Sequence, residues 1–209
     1  MAVVITVAQR KGGTGKTTLA ANIAAALAAS RRVALLDIDP QKSLGRWHQL
    51  RRTRLREAAA LTFSDISGWR LPAELERMKR GHDVVLIDSP PQIDTDARVA
   101  VRAADLVLVP IQPSLPDVWA AEGTLELAAQ ESRQAHLIFN RTSPSSKLRD
   151  SIAADLASRR LPVLRTTLGN RAGFAHAFAA GLGVTETAPR STAAAELRAL
   201  LTELEELTG

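Results

Sequence analysis

The sequence predicts an α/β fold: one three-layer domain over residues 1–209, with a mainly parallel, twisted sheet and helices on both faces. Three observations predict it. Strand-like runs near 2–9, 33–38, 61–65, 83–88, 105–111, 135–140 and 162–168 alternate with helical patterns, as in chains of βα units. Several of the runs are apolar at successive positions, which suits strands buried on both faces. A glycine-rich stretch, Lys11-Gly12-Gly13-Thr14-Gly15-Lys16-Thr17-Thr18, separates the first run from an Ala-rich helical pattern spanning Leu19 to Ala29.

The first run, Val3-Val4-Ile5-Thr6-Val7-Ala8, delivers that glycine-rich turn to the start of a helix. Such a turn aims several backbone N–H groups at one point, where the helix dipole also favours negative charge, so it reads as a phosphate site. Gly12, Gly13 and Gly15 permit turns that a Cβ would obstruct and leave room for a polyphosphate against the amides. Lys16 reaches the β and γ oxygens, and the Thr17 hydroxyl is placed to ligate Mg²⁺. Thr14 and Thr18 complete the candidate nucleotide-binding set. The common G-x-x-x-x-G-K-[ST] loop would place glycine where this chain has Arg10, and a second lysine, Lys11, is present instead. In this form the stretch resembles the deviant Walker A motif, K-G-G-x-G-K-T-T, of the ParA/MinD family of P-loop ATPases.

The second run, Arg32-Val33-Ala34-Leu35-Leu36-Asp37-Ile38-Asp39-Pro40, stops abruptly in two carboxylates. Ligands of open α/β sheets bind beyond the carboxyl ends of the strands, so Asp37 and Asp39 are expected on the edge that carries the phosphate loop. A carboxylate there holds Mg²⁺, directly or through water, or positions the water that attacks the γ-phosphate. Capping of the next helix is the alternative. Asp37-Ile38-Asp39-Pro40-Gln41 resembles the second motif of ParA proteins, and the resemblance links Asp39 to hydrolysis.

From Lys42 to Ala58 the chain reads as a basic helix with Arg46, Arg51, Arg52, Arg54 and Arg56. These arginines cannot share one narrow face, so much of their charge is expected to be solvated. The run Asp83-Val84-Val85-Leu86-Ile87-Asp88-Ser89-Pro90-Pro91 is a Walker B candidate, with Asp88 acting on Mg²⁺ and the two prolines stiffening the turn beyond it. The run Ala104 to Pro113 gives another buried strand, after which Ser114 or Asp117 caps a helix extending to about Arg133. The Pro-x-Gln-Pro-Ser pattern with Trp119 is similar to ParA proteins, and Trp119 is expected to be structural or dimer-facing.

His136 to Ser143 bears on the base. A guanine site needs a carboxylate three residues after Asn140 to accept from guanine N1–H and the 2-amino group, and this chain has Ser143 there. Adenine is the expected base, with Asn140 as its polar contact by resemblance. The segment from Pro162 to Gly183 has few acids and is similar to a part of short ParA-type ATPases in which basic residues contact DNA. Arg165 and Arg171 are candidates, together with Lys147 and Arg149. The last helix, Thr192 to Leu207, spaces Leu197, Leu200, Leu201 and Leu204 for packing on the sheet. Its acidic face, Glu196, Glu203, Glu205 and Glu206, disfavours a membrane-surface role.

Composition narrows the classes. A chain of 209 residues with 45% apolar and 23% charged residues has the make-up of an ordinary globule, not of a disordered or collagenous chain. With no cysteine, disulfides, thiolate metal sites and cysteine-held iron–sulfur clusters are excluded. The opening residues lack a basic region before their apolar run, and no stretch of eighteen apolar residues exists, so a cytoplasmic protein is expected. The net charge is +5, and all but five of the 27 basic residues are arginine. That balance suits a polyanionic partner or simply solubility.

The resemblance spans nearly the whole chain and is closest to the short ParA group, which lacks an N-terminal helix-turn-helix domain. It implies ATP and Mg²⁺ as cofactors, a homodimer closed on two ATP molecules with Lys11 reaching the partner's phosphates, and binding of non-specific DNA. A separate ParB-like or adaptor protein would stimulate slow hydrolysis, giving a nucleoid-associated cytoplasmic ATPase. Lys11, Lys16 and Asp39 are then the catalytic set, and Thr17, Asp37 and Asp88 the metal set. The cargo stays open between a plasmid, a chromosome origin, a chemoreceptor cluster and a carboxysome. The competing class is a dethiobiotin-synthetase-like enzyme that uses ATP to activate a small carboxylic acid.

Overall fold

The computed structural model describes residues 2–55, 61–91, 95–143 and 145–209. The chain runs β1 (Val3–Val7), α1 (Lys16–Leu27), β2 (Val33–Asp37), α2 (Ser43–Arg54), β3 (Leu61–Asp65), a 3₁₀ turn (Gly68–Arg70), α3 (Leu71–Lys79), β4 (Val84–Asp88) and α4 (Thr95–Ala103). It continues with β5 (Leu106–Ile111), α5 (Leu115–Gln130), β6 (Gln134–Thr142), α6 (Lys147–Ser158), β7 (Val163–Gly169), α7 (Ala172–Ala179), α8 (Val184–Thr187) and α9 (Thr192–Thr208). All seven predicted strands form, with ends shifted by at most two residues. The basic helix is shorter than expected, ending at Arg54, and Arg56 lies outside the described residues.

The strands form one sheet in the order β3-β2-β4-β1-β5-β6-β7, every neighbouring pair parallel. Side chains alternate between the faces, as the pleat requires. Ile5, Val7, Leu35, Leu86 and Leu108 pack under α1, α7, α8 and α9, together with Leu44 and Trp47 of α2. Val4, Leu36 and Ile87 face α3 and α4, and Val107, Val109 and Ile111 face α5 and α6. Each of β2, β4 and β5 is buried along its whole length, which explains why these strands read as continuous apolar runs.

Serine hydroxyls start three helices: Ser114, Ser146 and Ser191 accept from the N–H groups of Asp117, Arg149 and Ala194. Thus Ser114, not Asp117, caps α5. Helix α9 packs on β7, as expected, and several of its acids are paired. Glu203 is only 7% exposed and accepts from the N–H groups of Arg165 (2.7 Å) and Thr166 (2.9 Å). Those two N–H groups lie where the β6–β7 register shifts, and the carboxylate replaces the missing ladder partners. No described helix is long and apolar enough to cross a membrane.

Candidate nucleotide and metal site

The register brings the chemistry together. Val7 lies opposite Asp88, and Asp37 lies opposite Asp88 from the other side. The phosphate loop therefore leaves β1 beside two acids at the same carboxyl edge. Arg10, where the common loop has glycine, crosses α5 at Gly123, where a Cβ would meet Arg10 Nη1 at 2.4 Å.

Gly13 and Gly15 hold φ of 81° and 93°, a left-handed backbone that glycine adopts at little cost. Space is also short at Gly15, where a Cβ would sit 2.7 Å from Asn140 Nδ2. Lys16 is buried, and its Nζ lies 3.5 Å from the Lys11 carbonyl. Burial holds the Lys16 ammonium below its ordinary pKa, while the Asp88 and Asp39 carboxylates oppose that shift. A cavity of about 320 Å³ is lined by Gly12, Gly13, Gly15, Lys16, Thr17, Thr18, Asp39 and Arg141, among others. A second cavity of about 360 Å³, lined by Asn140, Leu168, Asn170 and Phe174, shares Thr18 and Arg141 with it.

Asp88 is fully buried, and neither carboxylate oxygen has a partner in good hydrogen-bond geometry, although the Thr17 hydroxyl is close enough to act on it. Desolvation pushes it up to about 8, opposed by the Thr17 hydroxyl and Lys16 and reinforced by the Asp37 and Asp39 charges. Buried polar atoms without partners are rare, and here they stand beside a cation-ready hydroxyl. Asp37 is tied to the backbone. Its oxygens accept from the N–H groups of Asp39 (3.1 Å) and Gly45 (3.0 Å), so it braces the β2 end and the first turn of α2. It too is pushed up, to about 6, chiefly by burial. Asp39 Oδ1 accepts from Gln41 N–H at 2.9 Å, and the residue lines the phosphate cavity.

No group of three or more acidic or histidine side chains is gathered to hold a metal among the described residues. This donor set fits Mg²⁺, which takes few protein ligands and keeps waters and phosphate oxygens. The residues suited to it are Thr17 and the unpartnered Asp88.

Asn140 does not simply face a base. Its Nδ2 donates to the Thr14 carbonyl at 2.8 Å, and its Oδ1 accepts from Arg141 N–H. Lys11 Nζ pairs with Asp117 Oδ1 of its own chain at 2.5 Å. Of the DNA candidates, Arg165 pairs with Glu203 and Glu206, Arg171 with Glu196 at 2.5 Å, and Arg149 with Asp150 at 2.7 Å. Three of the four cations are thus neutralised locally, and Lys147 is exposed with no carboxylate partner among the described residues. Trp119 is 61% exposed on α5.

Three contributors escaped the sequence reading: Asp117 as the partner of Lys11, and Gln112 and Arg141, which both donate to the Gly13 carbonyl. All three sit at or near the carboxyl ends of β5 and β6, the edge that carries the ligand, but their partners are set by distant contacts that no local pattern shows.

Residues 5–184 match the family described as the CobQ/CobB/MinD/ParA nucleotide binding domain. The chain is 31% identical over 208 residues to the maintenance of carboxysome distribution protein A of Halothiobacillus neapolitanus, covering 96% of this chain and 95% of the relative. It is 36% identical over 201 residues to the protein of the same name from Gloeobacter kilaueensis, covering 92% and 88%. Among solved structures, an ATP complex of Cyanothece McdA superposes with a TM-score of 0.81 at 20% identity, over 98% of this chain and 96% of that one.

Proposed function

Because the chain belongs to the CobQ/CobB/MinD/ParA family of nucleotide-binding proteins, we propose that it is an ATP-dependent positioning switch. In this reading it binds ATP with Mg²⁺, closes as a homodimer, holds DNA without sequence preference and hydrolyses ATP slowly until a partner protein stimulates it. The observation that carries the reading is the buried, unpartnered Asp88 carboxylate beside Lys16 and Thr17, at the mouth of a loop built for anions.

When bound, Mg²⁺ neutralises charge on the β and γ oxygens. Thr17 and Asp88 would hold it, and Asp37 keeps the adjoining turn in place. Lys16 offers a buried cation to the terminal phosphates. Asp39, at the wall of the phosphate cavity, orients the attacking water. Asn140 closes the second cavity, which takes the base. Lys11 serves the partner subunit once it leaves Asp117.

The two relatives are named for carboxysome distribution and match this chain along nearly their whole length, which favours a large protein assembly as the cargo. DNA contact falls to Lys147 and to α2, whose Arg46, Arg52 and Arg54 are exposed and have no carboxylate partner among the described residues. The protein would then gather on the nucleoid.

Retention of random-sequence DNA, measured with ATP and Mg²⁺ across a salt series, tests this. Retention should require ATP and fall steeply with salt, since each lysine or arginine on a phosphate releases a counterion. ATP-independent or salt-insensitive retention would overturn the switch.

A further inference from the structure

We infer that Gln112 and Arg141 are positioning residues that hold the phosphate loop's carbonyls outward and thereby preset its N–H groups for an anion. The inference rests on reading the cleft as a nucleotide site.

The Gly13 carbonyl accepts from two side chains, Gln112 Nε2 at 3.1 Å and Arg141 Nη1 at 3.0 Å. The next carbonyl, Thr14, accepts from Asn140. A peptide unit is planar and trans, so its N–H points away from its own C=O. Pinning the Gly13 carbonyl therefore fixes the Thr14 N–H, and pinning the Thr14 carbonyl fixes the Gly15 N–H. The N–H groups of Gly12, Gly13, Thr14 and Gly15 have no acceptor among the described residues. Two glycines with positive φ flank this unit, and glycine gives the backbone the widest freedom to rotate away. The clamp removes that freedom.

Arg141 is itself held in an unusual state. Its φ of 55° lies in the left-handed region, and its N–H is tied to Asn140 Oδ1 at 3.0 Å. A non-glycine residue stays there only where its surroundings over-determine it, and such strain gathers at ligand sites. Gln112 is anchored as well: its backbone N–H donates to Asp117 Oδ2 at 2.9 Å, the carboxylate that also holds Lys11. The guanidinium bond is the charge-assisted one and carries more of the clamp.

Calorimetric titration with ADP and with inorganic tripolyphosphate tests the inference on Arg141→Ala, Arg141→Lys and Gln112→Ala. Arg141→Ala should weaken both ligands by one common factor, on the order of tenfold. Arg141→Lys, which keeps a cationic donor, should restore part of that loss, and in the ADP-bound state amide exchange at residues 12–15 should be faster in Arg141→Ala than in the wild type. Gln112→Ala should show the same common weakening to a smaller degree, and carries the test if Arg141→Ala fails to fold. Loss of ADP affinity with tripolyphosphate unchanged would make Arg141 a reader of base or ribose and overturn the clamp. Unchanged affinities beside a nucleotide-binding wild type overturn the clamp alone. A wild type that binds no nucleotide overturns the functional reading and the clamp with it.

Discussion

Lys11 Nζ lies 2.5 Å from Asp117 Oδ1 within one chain. The carboxylate is buried, and it also accepts from Gln112 N–H and Ser114 Oγ, so it is fixed before the lysine arrives. A lysine that serves a partner's phosphates must first give up this contact. The pair makes the free chain's loop self-contained.

Lys11→Ala should therefore leave nucleotide affinity nearly unchanged while removing ATP-dependent dimers, because Lys16 and the loop amides stay in place. Size-exclusion chromatography with and without ATP reads this directly, and dimers retained by the variant would rule out a role across subunits. Asp117→Asn removes the charge that tethers Lys11, so its dimers should form at lower ATP concentration, as expected when the competing state is weakened.

The nucleotide-free protein should lose stability as pH rises. Burial raises Asp88 from 3.8 to about 8 and Asp37 to about 6, so the folded chain keeps protons that the unfolded chain releases. Their contribution is complete below pH 3.8 and is lost as pH climbs through those folded values. Glu74, Asp83 and Glu131, each lowered to about 2 by an arginine partner, act in the opposite sense and only in acid. Urea midpoints at about pH 5 and about pH 8.5 should differ in the wild type, and the difference should shrink in Asp88→Asn, with Asp37 supplying a remainder. A pH-independent wild type would contradict the buried, unpartnered carboxylate.

Two glycines of one loop should respond differently to alanine. At Gly13 the added Cβ meets nothing within 4 Å, so only the positive φ is penalised, by about 1 kcal/mol. At Gly15 the same strain is joined by a 2.7 Å clash with Asn140 Nδ2, which breaks the bond to Thr14. Thermal unfolding and ADP titration should show Gly15→Ala to be markedly worse in both. Equal effects would mean that Asn140 can yield.

The sheet was legible because parallel strands buried on both faces are written as unbroken apolar runs, and β2, β4 and β5 are buried at every position. The phosphate loop was legible for a related reason: its chemistry is contiguous in the chain. What stayed hidden were pairings between distant segments. Arg165 and Arg171 read as candidate DNA contacts, and the acids they pair with, 25 to 41 residues further on in α9, could not be seen. Asp37 was placed at the right strand end, but that the turn after β2 brings the Gly45 N–H back to it was not visible in the sequence. Gln112 and Arg141 reach a loop roughly a hundred residues earlier, with sequence separations of 99 and 128, and no local pattern announces such a contact.

The place of β1 between β4 and β5 has a consequence for how the chain comes into being. The strand that bears the phosphate loop is made early, yet both of its sheet neighbours begin only at residues 84 and 106. At ordinary synthesis speeds that interval lasts on the order of ten seconds, during which β1 and β2 are apolar ribbons without their central partner. Long-range parallel pairing is slow for the same reason, since loop closure precedes its reward. The nucleotide site therefore cannot exist in any shorter nascent piece, and until β4 and β5 emerge the apolar ribbons of the N-terminal part stay open to pairing with other chains.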